Sequence, residues 1–255
     1  MVTLVLANHK GGVGKTTSVL NIGDELAARG HSVLLIDGDQ QGNLSQSFAH
    51  DAPPERTLAA VLRGHSPLAD AVQELRANLY LLPAGAGLSE AVAERGRQPG
   101  AELALRKLLA PLQVDYTLID TPGSLGPFTD MALAAATAVL VPLHPDNYGI
   151  TGLVQLILRC RLMEESVNPG LRVAGLFLTQ YHPNDRRVLL RRNIEDLRAH
   201  PVLGPLLMAG TIRENIAVRE AQQMCQSLLA YAPDCAGALD YHLLTTELLT
   251  RLPHA

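Results

Sequence analysis

The apolar run at residues 2–7 (VTLVLA) passes without a break into NHKGGVGKTT at residues 8–17, and helix-forming residues follow at once to position 29. A strand, a glycine-rich loop and a helix N-terminus in that order leave few folds open. The strand lies inside a sheet and the helix packs back across it. The loop itself makes an anion site, because its successive backbone N–H groups and the positive end of the helix dipole face one point. Gly11, Gly12 and Gly14, with Val13 among them, let the backbone turn tightly and approach a ligand with no Cβ in the way. In such a loop Lys15 bridges the β- and γ-phosphates of ATP, the Thr16 hydroxyl ligates Mg²⁺, and Thr17 donates to the α-phosphate.

Further apolar strands are expected at residues 32–36, 78–82, 114–119, 137–142 and 171–179. Helical stretches fall near 101–110, 125–136, 149–165 and 186–199, with a last helix over 234–251 capped by Asp234. Strands apolar on both faces and separated by helices indicate an α/β fold: one doubly wound, mostly parallel sheet covered on both sides. Pro53-Pro54 and the stretch from Gly96 to Gly100 read as surface turns, so residues 1–255 are expected to form one domain.

Two acidic strand ends belong to the same site. The second strand closes in IDGDQQGN, which places Asp37 and Asp39 at the ligand crevice beyond the strand C-termini. YTLIDTPGSL at 116–125 ends the fourth expected strand in Asp120, the geometry that holds Mg²⁺ through water at a low-dielectric strand end. Thr16, Asp39 and Asp120 form the candidate metal set. The plainer alternatives are solvated loop acids for the first pair and a strand-end helix cap for Asp120.

The loop departs from the usual phosphate loop at two places: His9 stands where its first Gly would be, and a second lysine, Lys10, precedes Gly11-Gly12. This KGGxGKT form resembles the deviant Walker A of the ParA/MinD ATPase family, and the resemblance runs from residue 2 to about residue 250. It implies that Lys10 reaches the phosphates of the neighbouring subunit in an ATP-sandwiched homodimer. IDGDQQGN resembles the family's first switch, DxDPQGN. By that likeness Asp39 orients the attacking water, and Asp37 is structural or a water-mediated magnesium contact. Gln41, Gly42 and Asn43 match, whereas Gln40 replaces the usual Pro. Thr121-Pro122-Gly123 stands for the second switch, with the Gly123 amide near the γ-phosphate and Gly in place of a second Pro. TIRENIAVREA resembles the family's IPRNVRLAEA element, which flanks adenine and ribose; here Asn215 is kept and Arg213, which can stack on a purine, replaces Pro. A turn-forming role is the plainer reading of Asn215.

Within the family the start at residue 2 resembles the short, Soj-like form without an N-terminal helix-turn-helix domain. The tail TTELLTRLPHA is too weakly basic for the membrane helix of the MinD branch, so no membrane partner is expected. The formal net charge of −4 neither supports nor excludes nucleic acid; contact with DNA needs a local basic patch. DRRVLLRRNIEDLRAH supplies one, with Arg186, Arg187, Arg191, Arg192 and Arg198, and with Arg219 as an extension. Short ParA proteins bind DNA without sequence preference as dimers and answer to a ParB-like centromere-binding protein, which implies a cytoplasmic, nucleoid-associated switch for chromosome or plasmid segregation. A solvated charged face is the alternative for the arginines.

Rival roles are a positioning ATPase for a protein or organelle cargo, a MinD-like division regulator, a metabolic P-loop enzyme and a nitrogenase-reductase-like redox protein. The last needs cluster-ligating cysteines, and Cys160, Cys225 and Cys235 show no such spacing. They read as reduced thiols of an intracellular protein.

Overall fold

The computed structural model describes residues 1–48, 52–145, 150–182 and 184–252. Eight strands form one sheet: β1 (Val2–Leu6), β2 (Val33–Asp37), β3 (Gln73–Arg76), β4 (Leu79–Leu82), β5 (Tyr116–Asp120), β6 (Ala138–Leu143), β7 (Arg172–Thr179) and β8 (Leu207–Ile212). Their spatial order is β3-β4-β2-β5-β1-β6-β7-β8, and every pairing is parallel except β3 with β4. The chain's first strand is therefore interior, and the loop that follows it opens at the middle of the sheet's C-terminal edge. Register fixes the neighbours there: Leu6 pairs with Asp120, and Asp37 pairs with Asp120 from the other side.

Between the strands run α1 (Lys15–Ala28), α2 (Asn43–Gln46), α3 (Leu58–Arg63), α4 (Leu68–Ala71), α5 (Leu88–Gly96), α6 (Ala104–Leu109), α7 (Pro127–Ala135), α8 (Ile150–Ser166) and α9 (Val188–Ala199), and after β8 come α10 (Ile216–Gln223), α11 (Leu228–Tyr231) and α12 (Ala236–Arg251). Successive strand side chains point to opposite faces, and the core divides accordingly. Val5, Leu34, Ile36, Ile119 and Val139 pack with α3 and α5 to α9, while Leu4, Leu6, Val33, Leu35 and Leu118 pack with α1, α11 and α12. Each Leu fully buried in this way contributes roughly 1.5–3 kcal/mol.

Several expectations need correction. β3 and β8 carry no expected strand, and α2, α3, α4, α5, α10 and α11 no expected helix. The stretch near 101 begins with a 3-10 turn over Ala101–Leu103 before α6. Asp234 does not cap the last helix: the N-cap is Cys235, whose Sγ accepts from the Ala238 amide at 3.3 Å. Residue 149, the expected start of the 149–165 helix, lies outside the described residues, as do residues 253–255 of the tail. Among the described residues no helix is long and apolar enough to cross a membrane.

The β8 edge is covered. The Glu247 carboxylate of α12 accepts from the amides of Ala209 (3.2 Å) and Gly210 (2.8 Å), and Arg251 pairs with Glu247 at 2.8 Å.

Candidate nucleotide-binding site

The loop after β1 is built by backbone that side chains resist. Gly12 (φ 73°) and Gly14 (φ 84°) both lie in the left-handed region, and Gly14 is the N-cap of α1. Among the described residues no side chain caps this helix, so its first-turn N–H groups stay available to an anion. The loop is braced from two sides. Asn8 donates to the Pro142 carbonyl (2.8 Å) and accepts from the Lys10 amide (3.0 Å). Thr179, at the end of β7, donates to the carbonyls of Val13 (3.0 Å) and Leu143 (3.2 Å).

Lys15 and Lys10 point to different environments. Lys15 is only 7% exposed and its Nζ donates to the Lys10 carbonyl at 3.2 Å. Burial lowers its pKa from the ordinary lysine value, and the carboxylates of Asp120 and Asp39 push it back up. Lys10 is exposed.

Asp120 is fully buried at the end of β5. Its Oδ2 accepts from the Thr16 hydroxyl at 2.6 Å, whereas its Oδ1 is buried with no hydrogen-bond partner among the described residues. Burial pushes its pKa up to about 7, and the charge of nearby Asp37 adds to the rise against the opposing effects of Thr16 and Lys15. A buried carboxylate with an orphaned oxygen, beside a hydroxyl and facing a phosphate-binding loop, fits a hard divalent cation such as Mg²⁺.

Asp37 is also fully buried but is already committed. It accepts from the Ser45 amide (2.8 Å), the Ser45 hydroxyl (2.6 Å) and the Asp39 amide (3.2 Å), so it pins the turn that carries Asp39. Burial nonetheless raises its pKa. Asp39 is half-buried, lines the cleft, and accepts from the Gln41 amide at 3.0 Å. Gln40 accepts from the Ser89 hydroxyl at 2.5 Å, which ties the same turn to α5. Gly38, between the two acids, donates its amide to the Asp120 carbonyl at 3.0 Å; a Cβ there would run into the Phe128 ring. Gly123 lines the cleft opposite Gly11.

A cleft of about 680 Å³, within the range of small-molecule sites, joins the loop to a second wall made by β8, α10 and α12. Arg213 and Asn215 both line it. The Arg213 guanidinium forms a bidentate pair with Asp240 of α12, closest at 2.7 Å, and Asn215 caps α10 by accepting from the Ala217 amide at 2.9 Å. Thr17, Val218, Gln222, Cys225 and Tyr241 complete the wall, and the Tyr241 hydroxyl shares a hydrogen bond with Ser18 at 3.1 Å. Cys225 holds an unusual left-handed conformation at φ 53°. Thr179, Asp240, Gly38 and Gln222 escape the sequence reading, because each acts on a partner many residues away.

The basic residues divide. Arg191, Arg192 and Arg198 are exposed on α9, with Arg186 and Arg187 just before it. Arg187 is held by Asp185 at 2.8 Å. Arg219 sits on α10, pairs with Glu214 at 3.2 Å and lines the cleft. All three cysteines are free thiols, with Cys160 buried and the other two half-buried.

A strand, a phosphate loop with two lysines and two acidic strand ends on a mostly parallel sheet define a P-loop nucleotide-binding protein. Residues 1–173 match the family model described as an AAA domain. The chain is 39% identical to the chromosome partitioning protein ParA of Caulobacter vibrioides, over 97% of this chain and 94% of that one. It is 37% identical to the chromosome-partitioning ATPase Soj of Thermus thermophilus, over 99% and 97%. Among solved structures, cobyrinic acid a,c-diamide synthase from Mycobacterium smegmatis superposes with a TM-score of 0.83 at 30% identity, covering 100% of this chain and 99% of that one. That protein was solved with ADP and magnesium and with an ATP analogue and magnesium. The chain belongs to the ParA/Soj-type family of P-loop ATPases.

Proposed function

We propose that this protein is an ATP-dependent switch for DNA segregation: it binds ATP-Mg, dimerises across the nucleotide, holds DNA without sequence preference and is released by slow hydrolysis. The observation that carries the reading is the division between the two loop lysines. Lys15 is buried beside Asp120, in its own cleft, while Lys10 extends outward from the same loop. One cation serves the chain's own nucleotide, and the other is free for the nucleotide of a second copy.

Within the cleft the residues take distinct tasks. The loop amides and Lys15 hold the phosphates, and Thr17 donates to the α-phosphate. Thr16, Asp120 and Asp39 would hold Mg²⁺, which would supply charge neutralisation on the phosphate oxygens. Asp39 orients the water, and the Gly123 amide faces the γ-phosphate. Asn215 and the Arg213 backbone border the base. The loop supplies charge stabilisation, and turnover waits for a partner of the ParB kind to complete the water-positioning geometry. Asp39→Ala is expected to keep ATP binding and dimerisation and to lose hydrolysis; normal phosphate release in that variant removes Asp39 from the mechanism.

DNA contact is assigned to the exposed face of α9, where Arg191, Arg192 and Arg198 join Arg187, with Arg219 as the more distant contributor. Phosphate contacts by such side chains make binding salt-dependent. The test measures binding to random duplex DNA without nucleotide, with ADP and with ATP-Mg, over a salt series. ATP-Mg alone is expected to promote tight, salt-sensitive binding, and Lys10→Ala to abolish it. If ATP binds and DNA never does, the α9 arginines are a solvated face and the protein positions a different cargo.

A further inference from the structure

α10 meets the cleft along one face. Val218, Arg219 and Gln222 line it three, four and seven residues beyond the N-cap Asn215, the spacing of a single helical stripe. Only Ala221 of this helix is buried, so little core packing holds it in place. Among the described residues one hydrogen bond ties it to the phosphate side: the side-chain amide of Gln222 donates to the hydroxyl of Thr17, in the first turn of α1, at 2.8 Å.

The direction of that bond matters. A threonine hydroxyl has one hydrogen and two acceptor lone pairs. With Gln222 donating to the oxygen, the hydroxyl hydrogen is left for another acceptor, and among the described residues it donates to none. The oxygen accepts from α10, and Thr17 lines the cleft, so the hydroxyl hydrogen is left for an acceptor bound there.

We propose that Gln222 is a positioning residue of the nucleotide site: it orients the Thr17 hydroxyl as a donor to the α-phosphate and couples α10 to the phosphate loop. The inference rests on the nucleotide-binding reading above. A glutamate at this position reverses the arrangement. Its carboxylate only accepts, so it draws the Thr17 hydrogen to itself and presents lone pairs and a negative charge to the phosphate.

The test is titration calorimetry with ADP-Mg on the wild type, Gln222→Ala and Gln222→Glu, each repeated in a Thr17→Val background. Gln222 is exposed, so neither change threatens folding. Gln222→Ala is expected to raise Kd by roughly 3–10-fold and Gln222→Glu by more than about tenfold, the range of one lost or reversed hydrogen bond. In the Thr17→Val background Gln222→Ala is expected to change nothing further. Wild-type affinity in Gln222→Ala and Gln222→Glu overturns the inference. So does a loss from Gln222→Ala that persists in full without the Thr17 hydroxyl. If the wild type itself fails to bind ADP-Mg, the nucleotide reading falls and this inference falls with it.

Discussion

Replacing Lys15 with Met is expected to lower ATP turnover by roughly 10²–10³-fold, the cost of removing one preorganised charge or donor from a reacting centre, while leaving the ligand-free protein at least as stable as the wild type. The two effects come from the same geometry. Lys15 is nearly buried, and burial outweighs the attraction of Asp120 and Asp39, so its charge is held at a cost when no phosphate is present. Met fills a similar volume without a charge. Asp120, whose pKa already stands at about 7, takes up a proton more readily when the lysine is gone. Phosphate release and thermal melts measured side by side check both halves. A variant that turns over normally, or one that unfolds well below the wild type without nucleotide, contradicts the account of Lys15 as a desolvated phosphate ligand.

Asp120→Asn is expected to abolish magnesium-dependent turnover and to change how stability depends on pH. In the unfolded chain the carboxyl titrates near 3.8, whereas in the folded chain burial raises it to about 7. Between those values the folded protein keeps a proton that the unfolded chain has released. The stabilisation is therefore complete below about pH 4 and is lost as pH rises through about 7. The Asn variant lacks this titration, so without ligand its stability falls less over the window. At pH 8 it is expected to exceed the wild type by about 1–3 kcal/mol, less than the whole shift implies because the new amide N–H must find a partner. Asp37 shifts in the same direction but remains in both proteins, so it cancels from the difference. Parallel pH profiles for the two proteins would mean that Asp120 is ionised in the folded and unfolded chain alike, and that burial does not raise its pKa.

Much of this was legible in the residues because the signals are local. The phosphate loop needs glycines at Gly12 and Gly14 for left-handed backbone, and a lysine and threonine directly after them; all lie within ten residues. The apolar runs of β1, β2, β5 and β6 are buried on both faces, so they announce themselves by composition alone. β8 (LMAGTI) does not, since Gly210 and the half-covered residues around it resemble a loop. β3 is a short polar edge strand, and its pattern of Gln73, Glu74 and Arg76 has no apolar signature. On the site's second wall the difficulty is distance along the chain. Arg213 suggested a stacking cation, but its guanidinium is engaged by Asp240, 27 residues later. Gln222 reaches Thr17 across 205 residues. Gly38 reads as an ordinary turn residue until the Phe128 ring and the Asp120 carbonyl are seen against it.

The covered margin of the sheet bears on how copies of the chain come together. Open strand amides invite another chain to zip on, giving attachments that are strong and indifferent to ligand. Glu247 occupies two such amides on β8, and at the opposite margin β3 is four residues long with an irregular pairing to β4. Backbone-to-backbone polymerisation is thus discouraged at both margins, and the dimer proposed above would use side-chain surfaces around the cleft instead. Contacts of that kind are weak enough to be made and undone by one bound molecule, and a device that must repeatedly assemble and let go depends on that reversibility.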